Sequence, residues 1–155
     1  MNQKPQGKFF DEFQENQTFG SASRTITQAD IVNFAGLSGD FNPLHMDHEF
    51  GKKSPHGSII AHGALTFAVT TGLFNSTSLV DGTNIAFLGL SFDYKKVVKI
   101  GDTLHLDISI DNKRLTSKGN RGVVTFHVLT KNQRDEVVLD GLWKMLIMCS
   151  PEFKK

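Results

Sequence analysis

The 155-residue sequence has a single cysteine, Cys149, and almost no excess of charge, with 17 basic against 16 acidic residues. One cysteine excludes an internal disulfide framework and any metal site built from several cysteines, and it is typical of a reducing compartment. A net charge of +1 does not suit a surface that coats a polyanion. We therefore do not expect a nucleic-acid partner.

Long apolar runs are also missing. No run of 18 apolar residues occurs, so the sequence predicts no membrane-spanning helix. The N-terminal stretch MNQKPQGKFFDEF lacks the apolar core that a signal peptide needs. We expect a cytoplasmic protein with no membrane partner, and the length fits a single domain over residues 1–155.

Four of the six histidines lie in one stretch, between Leu37 and Gly63, together with several turn-forming residues. Titratable side chains concentrated in loops between regular elements are typical of a functional site. The polar candidates in this stretch are Asp40, Asn42, His45, Asp47, His48, His56 and His62.

Two segments beside this stretch predict helices. The residues TQAD at 27–30 match a capping box, and apolar residues then recur at helical spacing, which indicates a helix over about 28–37. The segment 61–74, AHGALTFAVTTGLF, has no charge and is apolar on most of the helical wheel. We expect it to be the central, buried helix, with Gly63 and Gly72 allowing other backbone to come close.

Four later runs favour strands and are joined by short turns. The clearest begins at Thr103, where apolar residues alternate with polar ones, as in a strand with one buried face. A short edge strand is also expected between Lys8 and Ser23. Consecutive strands with short loops predict an antiparallel sheet, so we expect an α+β fold whose sheet wraps around the central helix. The four runs are Ile85–Tyr94, Thr103–Asn112, Gly122–Lys131 and Val137–Met148.

The segments DFNPLHMD at 40–47, FG at 50–51 and IAHG at 60–63 resemble, in residue type and spacing, the signature of the MaoC-like hydratases, the (R)-specific enoyl-CoA hydratases. The resemblance implies a hot-dog fold, a homodimer formed through the sheets, and hydration of trans-2-enoyl thioesters. It implies catalytic roles for Asp40 and His45, and an amide at Gly63 that holds the thioester oxygen. Two positions depart from the family pattern: Val97 replaces a frequent proline, and Thr71 replaces a frequent serine in the central helix.

The residues themselves fit such a reaction. Adding water to an unsaturated thioester needs a base for the water, a proton for Cα, and stabilisation of negative charge on the thioester oxygen. A carboxylate and an imidazole on one loop, Asp40 and His45, suit the first two needs. The helix start near His62 and Gly63 offers unpaired amides and a positive dipole end for the third.

Two further residues of the histidine-rich stretch, Asn42 and His62, have two interpretations each. Asn42 either contacts substrate or shapes the loop through hydrogen bonds to the backbone, and the second is favoured before a proline. His62 either contacts substrate or hydrogen-bonds the loop. Thr71 is a candidate substrate-binding residue by the resemblance alone. His48 and His56 are assigned to the surface.

No resident cofactor is expected. The histidine spacing does not match a helical zinc motif, and no glycine-rich nucleotide loop follows a strand. Coenzyme A or acyl carrier protein enters only as part of the acyl-thioester substrate. The lysines at 52–53 and 95–99 are candidates to contact the phosphates of coenzyme A. Two rival functions stay open: an acyl-CoA thioesterase on the same fold, and a non-catalytic acyl-thioester binding protein.

Overall fold

The computed structural model describes residues 6–154. Within this part, a 3₁₀ turn at Phe10–Glu12 precedes four α-helices and six strands. The helices are α1 (Gln28–Ser38), α2 (Pro43–Met46), α3 (His48–Lys53) and α4 (Gly63–Asn75). The strands are β1 (Thr18–Gly20), β2 (Arg24–Thr25), β3 (Asn84–Tyr94), β4 (Thr103–Leu115), β5 (Arg121–Lys131) and β6 (Val137–Met148). No helix among these residues is long and apolar enough to cross a membrane.

All strand pairs are antiparallel, in the order β1-β4-β5-β6-β3, and β2 pairs with β4 next to β1. The four long strands match the four runs predicted from the sequence. Short turns join β4 to β5 and β5 to β6, which places consecutive strands side by side. Strand β3 pairs only with β6 among the described residues and forms one edge of the sheet, whereas the short strands β1 and β2 lie along the other edge.

Helix α4 packs against the sheet and supplies the centre of the core. Phe74 of the helix meets Phe126 of β5 and Trp143 of β6, with ring centroids 5.2 and 5.1 Å apart. The buried hydroxyls of Thr70 and Thr130 form a 2.9 Å hydrogen bond between helix and sheet. Because each hydroxyl is paired, neither adds the penalty of a buried, unsatisfied polar group. The expected α+β arrangement, an antiparallel sheet around a central helix, is confirmed.

The prediction that α4 is buried all round is wrong for the single chain. Ala64, Ala68 and Gly72 form a stripe at four-residue spacing that is exposed, because the sheet covers only the opposite side of the helix. A Cβ at Gly72 would meet nothing within 4 Å, whereas at Gly63 it would collide with a side chain, that of Tyr94. Neither glycine is therefore closely approached by other backbone within this chain.

Helix α1 begins at the predicted capping box. The Thr27 side chain accepts a hydrogen bond from the Asp30 amide, and the Asp30 carboxylate accepts one from the Thr27 amide. Burial alone would raise the pKa of Asp30, but hydrogen bonds from Thr27 and Arg24 outweigh it and lower that pKa. The helix ends at Gly39, whose φ of 77° is left-handed and reverses the chain into the histidine-rich stretch.

Candidate active site

Asp40 directly follows the left-handed turn that ends α1. Its carboxylate accepts a 3.2 Å hydrogen bond from the Asn42 amide, and its backbone carbonyl accepts a 2.9 Å bond from Nε2 of His62. The residue is exposed in the single chain. The carboxylate therefore keeps lone pairs free for a water or a substrate, while the backbone beneath it is fixed by the buried histidine.

His45 lies on α2, a single helical turn that the sequence did not predict. Asn42 caps this turn by accepting the Leu44 amide at 2.9 Å, and Pro43 occupies its first position. Nδ1 of His45 lies 2.8 Å from the Ile60 carbonyl, and because a carbonyl only accepts, this nitrogen carries the proton. Nε2 is then the nitrogen left to accept a proton, as a general base requires.

His62 is buried, with 2% of its surface exposed, and its ring lies against that of His45 at a centroid distance of 3.9 Å. Phe34 of α1 contacts the other part of the ring at 5.1 Å. Nε2 donates to the Asp40 carbonyl, and Nδ1 has no hydrogen-bond partner among the described residues. Of the two interpretations of His62, the geometry favours the one in which it hydrogen-bonds the loop.

Asp40, His45 and His62 each bring one polar atom within 4.8 Å of the other two. A single water with two hydrogen bonds of about 2.8 Å spans such a gap between the carboxylate and an imidazole. The same three side chains are a conceivable metal set, but the two imidazoles lie face to face with only 31° between their planes. Their lone pairs lie in the ring planes and do not converge on one ion, so the arrangement suits a bridging water better.

The N-terminus of α4 lies beside these side chains. The first amide bonded within the helix is that of Thr66, which donates to the His62 carbonyl. His62 makes no side-chain cap, so the amides of Gly63, Ala64 and Leu65 have no intrahelical acceptor. Three N–H groups with no acceptor among the described residues, at the positive end of a helix dipole, suit an oxygen that gains negative charge.

A cavity of about 270 Å³ opens between His45 and the start of α4. Two backbone hydrogen bonds hold together segments that line it. The Ala61 amide donates to the Val98 carbonyl at 2.8 Å, and the Ile60 amide donates to the Leu44 carbonyl at 3.2 Å. The lining residues are His45, Ile60, Ala61, Gly63, Thr66, Tyr94, Lys95, Lys96, Val97 and Val98. The sequence reasoning missed Thr66 and Tyr94. The only available signal for Tyr94 was that the chain's one tyrosine stands at the end of a strand.

Not every candidate reaches this cavity. The Thr71 hydroxyl donates to the Ala68 carbonyl of its own helix at 2.7 Å, and Thr71 is absent from the cavity wall. Thr66, more than one turn earlier, faces the cavity instead. Asn42 shapes the loop as a helix cap, and Asp47 caps α3 by accepting the amides of Glu49 and Phe50. His48, as expected, is exposed, while His56 is partly buried and lines a neighbouring groove.

Several known proteins are similar to this chain in sequence or in fold. An (R)-specific enoyl-CoA hydratase of Rhodospirillum rubrum is 29% identical over 102 residues, which are 66% of this chain and 69% of the relative. The structure of a MaoC-like dehydratase from Rhodospirillum rubrum matches with a TM-score of 0.84 at 28% identity, covering 94% of this chain and 99% of that one. A Mycobacterium tuberculosis protein with a double hotdog fold matches with a TM-score of 0.83 at 22% identity, covering 96% of this chain and 46% of that one.

The last match confirms the hot-dog fold that the resemblance implied. The family model described as the MaoC-like domain matches residues 12–132, a range that holds the loop with Asp40 and His45, helix α4 and the strands up to β5. The chain therefore belongs to the family of MaoC-like domain proteins, and several of its relatives are named hydratases or dehydratases.

Proposed function

We propose that this protein adds water to trans-2-enoyl thioesters to give (R)-3-hydroxyacyl thioesters, and that it catalyses the reverse dehydration. The observation that carries the proposal is the joint placement of the Asp40 carboxylate and the His45 imidazole within reach of one water, next to the start of α4. The relative from Rhodospirillum rubrum named as an (R)-specific enoyl-CoA hydratase supports the choice of product.

Asp40 and His45 together accept one proton and return one proton in each reaction cycle. As the water attacks C3 of the enoyl group, one member of the pair accepts its proton, and the π electrons move toward the thioester oxygen. The amides at the start of α4 stabilise the resulting enolate. A proton then passes from the pair to C2, and both side chains return to their starting protonation states.

The test of this function is the hydration of crotonyl-CoA in deuterated water, which is monitored by the loss of enoyl absorbance. Because Asp40 and His45 hold one water from one side, hydroxyl and deuterium are expected on the same face, giving a syn product with (R) configuration at C3. Release of free thiol from butyryl-CoA would instead identify a thioesterase. Tight acyl-CoA binding without turnover would identify a binding protein, and an (S) or anti product would contradict the single-water mechanism.

The carrier of the acyl group is proposed to be coenzyme A or acyl carrier protein, with no resident cofactor. A groove of about 750 Å³ shares Lys96 and Val97 with the active-site cavity and also contains Lys99 and Arg134. Glu136 lies in the same groove, and hydrogen bonds from Asn132, Lys96 and Arg134 lower its pKa to about 2. The Lys99 ammonium donates only to the His56 carbonyl among described residues, so its charge remains available to a phosphate of the carrier.

A homodimer through the β3 edge is part of the proposal. The edge strand exposes large apolar side chains, among them Phe87, Leu88 and Leu90, at 43, 52 and 39% of their surface. The small-residue stripe on α4 is exposed as well. An unpaired, apolar strand edge favours pairing with another chain, and a second copy is the economical partner.

We therefore expect light scattering at micromolar concentration to give twice the mass of the chain. Leu88→Glu should shift the protein toward the monomer, because it places a charge in the proposed apolar contact. Leu37→Glu is a matched control, since Leu37 is 84% exposed on α1, away from β3. A wild-type monomer with full activity would contradict the dimer.

A further inference from the structure

Tyr94, the last residue of β3, lies directly against the start of α4. A Cβ built on Gly63 would come within 2.8 Å of Cζ and 3.1 Å of the phenol oxygen of Tyr94. Only a glycine therefore leaves room for this ring. The contact is between the first residue of α4 and the polar tip of the tyrosine, so the phenol oxygen lies next to the amides that were assigned to the thioester oxygen.

The distance between these two donors is suitable for one shared acceptor. A Cβ position lies roughly 2.5 Å from the nitrogen of its own residue. The phenol oxygen of Tyr94 is therefore within about 5.6 Å of the Gly63 nitrogen. Two hydrogen bonds to a single oxygen, each about 2.8 to 2.9 Å long, span this separation.

Aromatic packing fixes the ring relative to α4. Tyr94 meets Phe92 edge to face at 5.2 Å, and Phe92 stacks on Phe67 of α4 at 5.1 Å. The same helix thus provides the amides and, through Phe67 and Phe92, the support for the tyrosine. No hydrogen-bond partner for the phenol occurs among the described residues, and the side chain lines the cavity, so its O–H is free to donate to a ligand.

We propose that Tyr94 is a catalytic residue whose phenol donates a second hydrogen bond to the thioester oxygen, beside the Gly63 amide. This role rests on the proposed hydratase function. The phenol keeps its proton throughout, no bond to it forms or breaks, and it acts by stabilising the charge that develops on the oxygen. Burial raises the pKa of Tyr94 above its ordinary value of about 10, which keeps the donor protonated over the neutral range.

The variant Tyr94→Phe keeps the ring over Gly63 and removes only the donor. We expect kcat to fall about 10- to 100-fold with little change in KM, because the lost bond strengthens in the transition state. Tyr94→Leu removes the ring as well and measures what packing contributes. If Tyr94→Phe keeps wild-type kcat while Tyr94→Leu loses it, the tyrosine only packs, and the proposal is overturned.

A second readout uses the fact that the chain has one tyrosine, so labelling tyrosine with ¹³C at Cζ gives one NMR signal. Acetoacetyl-CoA, whose enolate resembles the intermediate, should shift this signal and raise the tyrosine pKa. A bound ligand with an unmoved signal would overturn the contact. If wild-type protein hydrates no enoyl thioester, the proposed function fails and this role with it. If the wild-type protein hydrates enoyl thioesters and Tyr94→Phe does so at the same rate, the role of Tyr94 is overturned and the proposed function is kept.

Discussion

Asp40→Asn and His45→Ala are each expected to lower kcat/KM for enoyl-thioester hydration by about 10²-fold or more, because each removes one partner in proton transfer. Asparagine keeps the Oδ1 that accepts the Asn42 amide and so preserves the turn, while it loses the basic carboxylate. Alanine at His45 removes the Nε2 lone pair and also the hydrogen bond to the Ile60 carbonyl. Steady-state kinetics with crotonyl-CoA measure both losses.

The double variant should lose far less activity than the product of the two single losses, since both side chains act on the same water. Circular dichroism and thermal unfolding should show that all three variants stay folded, because Asp40 is exposed and His45 is only partly buried. His48→Ala is the matched control. His48 begins the next helix and is exposed, and among the described residues its side chain bonds only the Gln28 side chain, so its loss should leave kcat/KM unchanged. Near-wild-type hydration by either single variant would remove Asp40 and His45 from the mechanism.

The fold was largely predictable because its signals are local. In β4, residues 104, 106, 108 and 110 are all at most 1% exposed, as the alternation predicted. The capping box at Thr27 and the left-handed Gly39 bound α1 within one residue of the expected range. What local pattern could not indicate is which side of α4 stays uncovered. That depends on where the sheet lies, and the stripe of Ala64, Ala68 and Gly72 has no charged residue to mark it as exposed.

The site also contains residues that local sequence could group and residues that it could not. Asp40, His45 and His62 lie within 23 positions of one another, and the spacing of the loop was enough to group them. Tyr94 ends β3 and Val98 follows that strand, and only the folded chain brings them to the cavity. Thr71 failed to reach the cavity because residues five apart on a helix point in different directions, so Thr66 faces the site and Thr71 does not. The turn α2 was missed because its one turn is too short for a periodic signal.

Gly63→Ala is expected to lower kcat/KM by about 10²-fold while the protein keeps its stability. The added methyl would lie 2.8 Å from Cζ of Tyr94, so the ring has to move. Half of the Tyr94 surface is exposed, so the ring can move outward by giving up its edge contact with Phe92 and without disturbing the buried core. The methyl group then fills space beside the amide of residue 63. The displaced phenol of Tyr94 no longer faces this amide. Losing an oxyanion donor typically lowers kcat by about 10²- to 10³-fold.

Gly36→Ala separates this effect from the general effect of adding a methyl group to a helix. Gly36 is exposed in α1, and a Cβ there would meet nothing within 4 Å. Replacing a helical glycine with alanine should stabilise the protein by about 1 kcal/mol and leave hydration unchanged. Thermal unfolding and crotonyl-CoA kinetics on the two variants form the comparison. If Gly63→Ala keeps wild-type kcat/KM, the thioester oxygen does not bind at the start of α4. If it instead unfolds the protein, Tyr94 is held more rigidly than its exposure indicates.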